Sequence, residues 1–219
     1  MQEPTSKNTQ QAMISTNQPP HLQLQVQHNL AVFPLPIFLL PEGRQRLRIF
    51  EKKYLSMIAN ASKGEGFVIA RSDKQRDYQV SSWGIKVAIV DFNMGDDNIL
   101  EVDVEGIELV KISNFTYQDD GLLIGSALAT NHWSRLDNNE PTPRLSAFLE
   151  KLFQEHELIQ SLYSNTKFDD PIWVCSRLIE ILPISLGRKE TFLSPTSFPS
   201  LVALLNEVVS GSTMQNEIS

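Results

Sequence analysis

The 219-residue chain holds one cysteine, Cys175, so no disulfide can form within it. A lone thiol in an apolar helical pattern reads as a small buried hydrophobe. One cysteine and no secretory start predict a reducing cytoplasm. Without secretion, the sequons at Asn60 and Asn114 carry no meaning. No window approaches the roughly 18 consecutive apolar residues of a membrane helix. Basic residues are in deficit: the net charge is −7, with 12 basic and 16 acidic side chains over residues 29–140. That balance disfavours general binding of polyanions, which needs clustered Lys and Arg.

Catalytic patterns are missing as well. There is no Gly-Lys dipeptide, which excludes a phosphate-cradling P-loop, and no Gly-x-Ser-x-Gly elbow. Ser164 and Lys167 match Ser-x-x-Lys without its companion motifs and read as coincidence. His21, His28, His132 and His156 have no metal-ligand spacing, and structural or solvent roles are expected for all four. The pairs Asp96-Asp97, Asp119-Asp120 and Asp169-Asp170 read as turn formers or a helix cap. No cofactor, metal or catalytic residue is expected.

What is present is 41% hydrophobic residues, enough for a core. Residues 1–28, rich in Gln, Asn, Ser, Thr and Pro, read as a disordered tail. Residues 33–54 organise the rest. An apolar run cut by Pro34, Pro36 and Pro41 reads as strand edge or strand end. Pro41-Glu42-Gly43 reads as a corner with Gly43 free to take positive φ. Residues 46–50 alternate as a half-buried strand, and from Glu51 the period turns helical, with Tyr54, Leu55, Ile58 and Ala61 on one face.

Further strands are expected over residues 67–70, 83–92, 99–104, 107–115 and 122–131. Gly84 marks a bulge or close approach, Gly106 a break or kink, and Asp119-Asp120-Gly121 a hairpin turn. Short strands at such spacing predict a small, partly closed barrel over residues 29–133. Residues 134–140 read as a linker, and 141–211 as a helical bundle. Its helix starts are Thr142-Pro143, Asp170-Pro171 and Ser194-Pro195. The first stripe is Leu145, Phe148, Leu149, Leu152, Phe153 and His156. The second runs from Ile172 to Leu182, and the third from Phe198 to an end near Gly211. A short helix fills 186–193, and residues 212–219 read as a frayed tail.

In order, Phe33-Pro34-Leu35, Leu40-Pro41-Glu42-Gly43 and residues 47–54 resemble the N-terminal domain of the Lon ATP-dependent protease. So do the strand opening at Trp83-Gly84, the strand pair around Gly106, and the helix over residues 173–183. The resemblance covers roughly residues 29–210. Lys53 stands where that family has Arg, Glu42 intrudes in its Pro-Gly corner, and Leu109 replaces a frequent Arg. The resemblance implies an α+β chain: a PUA-like pseudobarrel followed by a helical bundle, in a region that in Lon contacts substrates and helps assembly. It also implies a freestanding recognition domain without the ATPase or peptidase.

Two features could carry binding. One is the cluster Arg44, Arg46, Arg48, Lys52 and Lys53, set against Glu42 and Glu51. It reads as a contact for acidic peptide or RNA, as a solvated face, or as the partner of the acidic strand bearing Glu101, Asp103 and Glu105. The other is apolar: Phe38, Leu39, Phe50 and Tyr54, read as core or as part of a groove for unfolded segments. The expected peptide-binding set is therefore Arg44, Arg46, Arg48, Glu51, Lys52, Phe38 and Tyr54. The expected partner is polypeptide, either substrate or a protease; an RNA-binding PUA-like module is the alternative.

Overall fold

The computed structural model describes residues 28–138, 140 and 142–216, with side chains described through Gly211. The expected tail lies outside the described residues except for His28, which opens the first strand.

Six strands, β1 (His28–Leu35), β2 (Arg44–Ile49), β3 (Phe67–Ser72), β4 (Val80–Met94), β5 (Leu100–Tyr117) and β6 (Leu123–Ala129), form one sheet of order β2-β5-β4-β3-β1-β6. β5 also pairs with β6, which closes β5-β4-β3-β1-β6 into a barrel. β1 and β3 run parallel, and every other pair is antiparallel. β2 lies along the N-terminal part of β5 and is an edge strand. The long strands β4 and β5 bend round the barrel through register shifts between Lys86 and Val87, Ile89 and Asp91, and Ser113 and Thr116. Between β2 and β3 sits α1 (Lys52–Ala61), which buries Met57, Ile58 and Ala61. Leu55, expected on that buried face, is exposed.

Alternation sends side chains to two cores. Inside the barrel lie mostly β-branched and small residues, among them Val32, Val68, Ala70, Val110 and Ile112. The other face of the sheet contributes Phe33, Leu47, Ile85 and Val104 to a larger core, which is continuous with Leu149, Leu178 and Leu205 of the helices.

The helices are α2 (Pro143–Glu155), α3 (Glu157–Leu162), α4 (Pro171–Ile181), α5 (Leu186–Glu190) and α6 (Phe198–Asn216). α4 is apolar nearly all round and sits at the centre, buried from Pro171 to Ile179. Asp170 caps it as expected, accepting from the Ile172 and Trp173 amides. Cys175 is fully buried there, and burial pushes its thiol up to about 12.

Several local expectations change. Of the two readings of Gly106, the break fails, because the strand runs through it, while a register shift falls beside it, with Lys86 facing Glu108 and Val87 facing Gly106; a Cβ at 106 would sit 2.4 Å from the Leu40 carbonyl oxygen. Gly84, read as a bulge or close approach, is the close approach, to the Ile69 carbonyl. The first helical stripe splits at His156, which is exposed between α2 and α3. Ser194-Pro195 is a turn rather than a helix start: α6 opens at Phe198, with the Leu201 amide bonded to the Ser197 carbonyl. α6 continues past Gly211 to Asn216.

The segment after β6 is pinned to α6. The Trp133 indole packs on Phe198 and donates to Ser197 Oγ at 3.1 Å. His132 stacks on Trp133 at 4.0 Å, and its buried Nε2 has no partner among the described residues. Burial lowers the His132 pKa to about 4, so between that value and the ordinary 6.5 the unfolded chain binds a proton that the folded chain refuses. Stability is therefore expected to be full above pH 6.5 and to fall as pH drops towards 4. The loss from this group is at most about 3 kcal/mol, and His132→Gln is expected to flatten the slope in urea midpoints measured across that range.

Candidate functional site: the corner and the cleft beside it

The corner over residues 40–43 is where barrel and helices grip each other. Gly43 donates its amide to the Leu40 carbonyl, Glu42 donates to the Gly106 carbonyl at 2.7 Å, and Gly106 donates back to Gly43 at 2.8 Å. The residue with positive φ is Glu42, at 63°, and not Gly43. Gly43 is needed for space: a Cβ would lie 2.5 Å from Glu180 Oε1 and 2.8 Å from Arg177 Nη2.

Those two side chains, three apart on α4, reach out to the corner. Arg177 donates from Nε and Nη2 to Glu180 at 2.6 and 2.7 Å, and from Nη2 to the Pro41 carbonyl at 3.0 Å. The Leu40 amide donates to Glu180 Oε1 at 2.7 Å. Arg177 is fully buried and lies over the Trp173 ring. Burial pushes the Glu180 pKa up, but three donors converge on its two oxygens, so the carboxylate is the form that fits. On the outer side, Glu42 holds Lys167 and Arg135, and Arg135 also reaches Asp170 at 2.9 Å. Burial opposes ionisation of Glu42, yet Lys167 and Arg135 outweigh it and hold its pKa below the ordinary value.

Beside the corner opens a cleft of about 550 Å³ between the barrel and the helices. Its walls are residues 36–39, β2 residues 44–46, α3 with the following Tyr163, and Glu180, Ile181, Leu186 and Lys189. The surface is largely apolar, from Ile37, Phe38, Leu39, Ile159, Leu162 and Ile181. Leu158 stands at its mouth, 80% exposed. Lys189, 5% exposed, donates to the Glu180 carbonyl at 2.9 Å and lies over Phe38; burial lowers its pKa. The Tyr163 hydroxyl accepts the Arg44 amide at 2.9 Å, and burial, with Glu180 nearby, pushes its pKa up to about 12.

The expected site residues divide. Phe38, 6% exposed and edge-on to Trp83, lines the cleft, as do Arg44 and Arg46. The arginines of β2 face the acids of β5 in register: Arg44 opposite Glu105, Arg46 opposite Asp103 and Arg48 opposite Glu101. Arg44 pairs with Glu105 at 2.7 Å and donates to the Leu162 carbonyl; Arg46 grips both oxygens of Asp103; Arg48 pairs with Asp97 in the β4–β5 turn. The basic cluster is thus largely neutralised within the fold, the third of its three readings. Glu51, Lys52 and Tyr54 do not line the cleft. Glu51 precedes α1 and pairs with Lys53, Lys52 is exposed at the first position of α1, and Tyr54 packs on Phe33 at 4.2 Å. Phe50, read with the apolar set, is 71% exposed.

Sequence reasoning missed Arg177, Glu180, Lys189, Tyr163 and the α3 leucines. One signal was there to read: two opposite charges three residues apart in an otherwise apolar helix that a core must cover. Among the described residues no cluster has the makings of a metal site, and no helix is long and apolar enough to cross a membrane.

Breaking the buried pair should cost far more than its net stabilising worth. Arg177→Met leaves Glu180 buried and uncompensated, and is expected to destabilise by about 3–5 kcal/mol in urea titration. Adding Glu180→Gln, which keeps an acceptor for the Leu40 amide, is expected to recover most of that loss.

No curated protein matches the sequence. Solved structures do. The crystal structure of a Lon N-terminal domain protein from Xanthomonas campestris is 26% identical, covers 81% of this chain and 98% of its own, and superposes with a TM-score of 0.61. The N-terminal domain of a Mycobacterium avium complex Lon protease, 16% identical, shares the fold over 84% of this chain and 98% of its own, with a TM-score of 0.57. Over residues 29–212, which include the corner, the cleft and every strand of the barrel from Asn29 on, the sequence matches the substrate-binding domain of ATP-dependent protease La (LON), and the chain belongs to that family.

Proposed function

We propose that the protein is a non-enzymatic recognition module that binds polypeptide in the cleft beside the corner, taking apolar side chains from unfolded segments. The observation that carries this reading is the cleft itself: an open, largely apolar surface of a few hundred Å³, framed by charges already satisfied within the fold. Family membership supports a substrate-recognition role. Such a surface rewards hydrophobic side chains of many shapes with few fixed polar demands, which suits ligands that share exposure rather than sequence. It binds without hydrolysing. The pairing of Arg44, Arg46 and Arg48 with β5 and its flanking turn counts against the RNA alternative, because each phosphate contact would have to displace an internal carboxylate.

The test is fluorescence anisotropy with labelled, reduced and carboxymethylated lactalbumin, a chain that stays unfolded. Saturable binding is expected, changing little with salt. Leu158→Asp, at an exposed position that leaves the core intact, is expected to weaken it about tenfold by placing a charge at the apolar mouth. Absence of binding by the unsubstituted protein overturns the reading.

A further inference from the structure

The edge of β2 that faces away from β5 offers backbone groups and not only side chains. Gly43 gives its carbonyl to Gly106 on β5, and Arg44 sends its amide the other way, to Tyr163. In an antiparallel pair, alternate residues direct both backbone groups to the same side. Gln45, Leu47 and Ile49 therefore bond to β5, while Arg44, Arg46 and Arg48 turn theirs outward. Tyr163 and α3 close off the Arg44 end. Beyond it, the Arg46 amide and both backbone groups of Arg48 have no partner among the described residues. The Arg46 carbonyl takes only the side-chain amide of its neighbour Gln45, at 3.0 Å. These positions are exposed and border the cleft at Arg46.

We propose that the cleft is filled by β-strand addition: an extended polypeptide segment pairs with the outer edge of β2 at Arg46 and Arg48. The proposal rests on the polypeptide-binding reading above and names how the ligand is held. The occupant's chemistry follows from the groups on offer. Unpaired amides and carbonyls at the two-residue spacing of a strand are matched by another extended backbone, and by neither a helix nor a nucleic acid. Side chains of the added strand alternate between the two faces of the sheet. On one face they lie beside Arg46 and Arg48, whose charges Asp103 and Asp97 already balance, so this face accepts polar residues. On the other they continue the row of Gln45, and the one beside Gln45 enters the apolar cleft. Main-chain bonds then supply affinity that is indifferent to sequence, and the cleft supplies the preference for an apolar residue. Gln45 Nε2 moves aside to release the Arg46 carbonyl.

A proline scan separates this from docking by side chains alone. Arg48→Pro removes an amide that β5 does not use, so the ladder with β5 stays intact. Arg48→Ala removes the same side chain and keeps the amide. With the unfolded lactalbumin probe, Arg48→Pro is expected to bind about tenfold more weakly than Arg48→Ala. A second measurement does not depend on the variant's fold: hydrogen exchange by NMR of the unsubstituted protein with a short synthetic peptide alternating leucine and serine. The Arg46 and Arg48 amides are expected to become protected, and an analogue N-methylated at alternate residues should leave them unprotected. Equal binding by Arg48→Pro and Arg48→Ala, or saturation by peptide without protection of those two amides, overturns strand addition while the cleft reading stands. Protection that grows with protein concentration and no peptide assigns the edge to a second copy and overturns it too. Failure of the unsubstituted protein to bind either probe removes the function reading and this inference together.

Discussion

The buried Arg177–Glu180 pair and the chain corner it holds set the geometry of everything nearby. Two charges inside a core are a poor way to gain stability, because desolvation consumes most of their attraction. Their value here is positional. Glu180 takes the Leu40 amide and Arg177 donates to the Pro41 carbonyl, so two polar groups that the corner's own Gly43–Leu40 bond leaves open are met by one helix. Glu42 and Gly43 of the same corner bond to Gly106 of β5, and the Leu40 carbonyl packs against it. Glycine at 43 and 106 is thus required by the closeness of three chain segments, and the left-handed conformation falls to Glu42, whose side chain is tied to Lys167 and Arg135.

With the corner fixed, the cleft follows. β2 leaves the corner as an edge strand, and Tyr163 and Leu162 clip its start to the helical side. The irregular segment before the corner brings Phe38 and Leu39 to the same cleft wall as Lys189 and Ile181. The apolar walls therefore come from segments that belong to both halves, and one hydrophobic core runs beneath them. The charges of β2 are spent on β5 in register, so what remains open to a ligand is apolar surface and backbone.

Where local pattern dominates, the sequence was a good guide. The β2 alternation, the Asp170-Pro171 cap and the hairpin at Gly121 each rest on neighbours along the chain. Where a distant contact decides, local pattern misled. Gly106 read as a break or kink because nothing nearby reveals the Leu40 carbonyl that calls for a glycine there. Ser194-Pro195 looked like a helix start because Ser197, committed to Trp133 and the preceding turn, gives no local sign of that role. The arginine cluster was legible as charge, but its meaning depended on which strand lay beside β2. The cleft was least visible, since its walls are separated by more than a hundred residues and its key polar residues hide inside an apolar helix.

Corner and α4 make barrel and helices one cooperative unit. This can be tested by fluorine NMR of the protein labelled with fluorotryptophan during urea unfolding. Trp83 reports the barrel at its contact with Glu190 of α5, Trp133 the connection to α6, and Trp173 the central helix. All three folded resonances are expected to disappear at one urea concentration. A Trp83 resonance that persists after Trp173 has unfolded would contradict it.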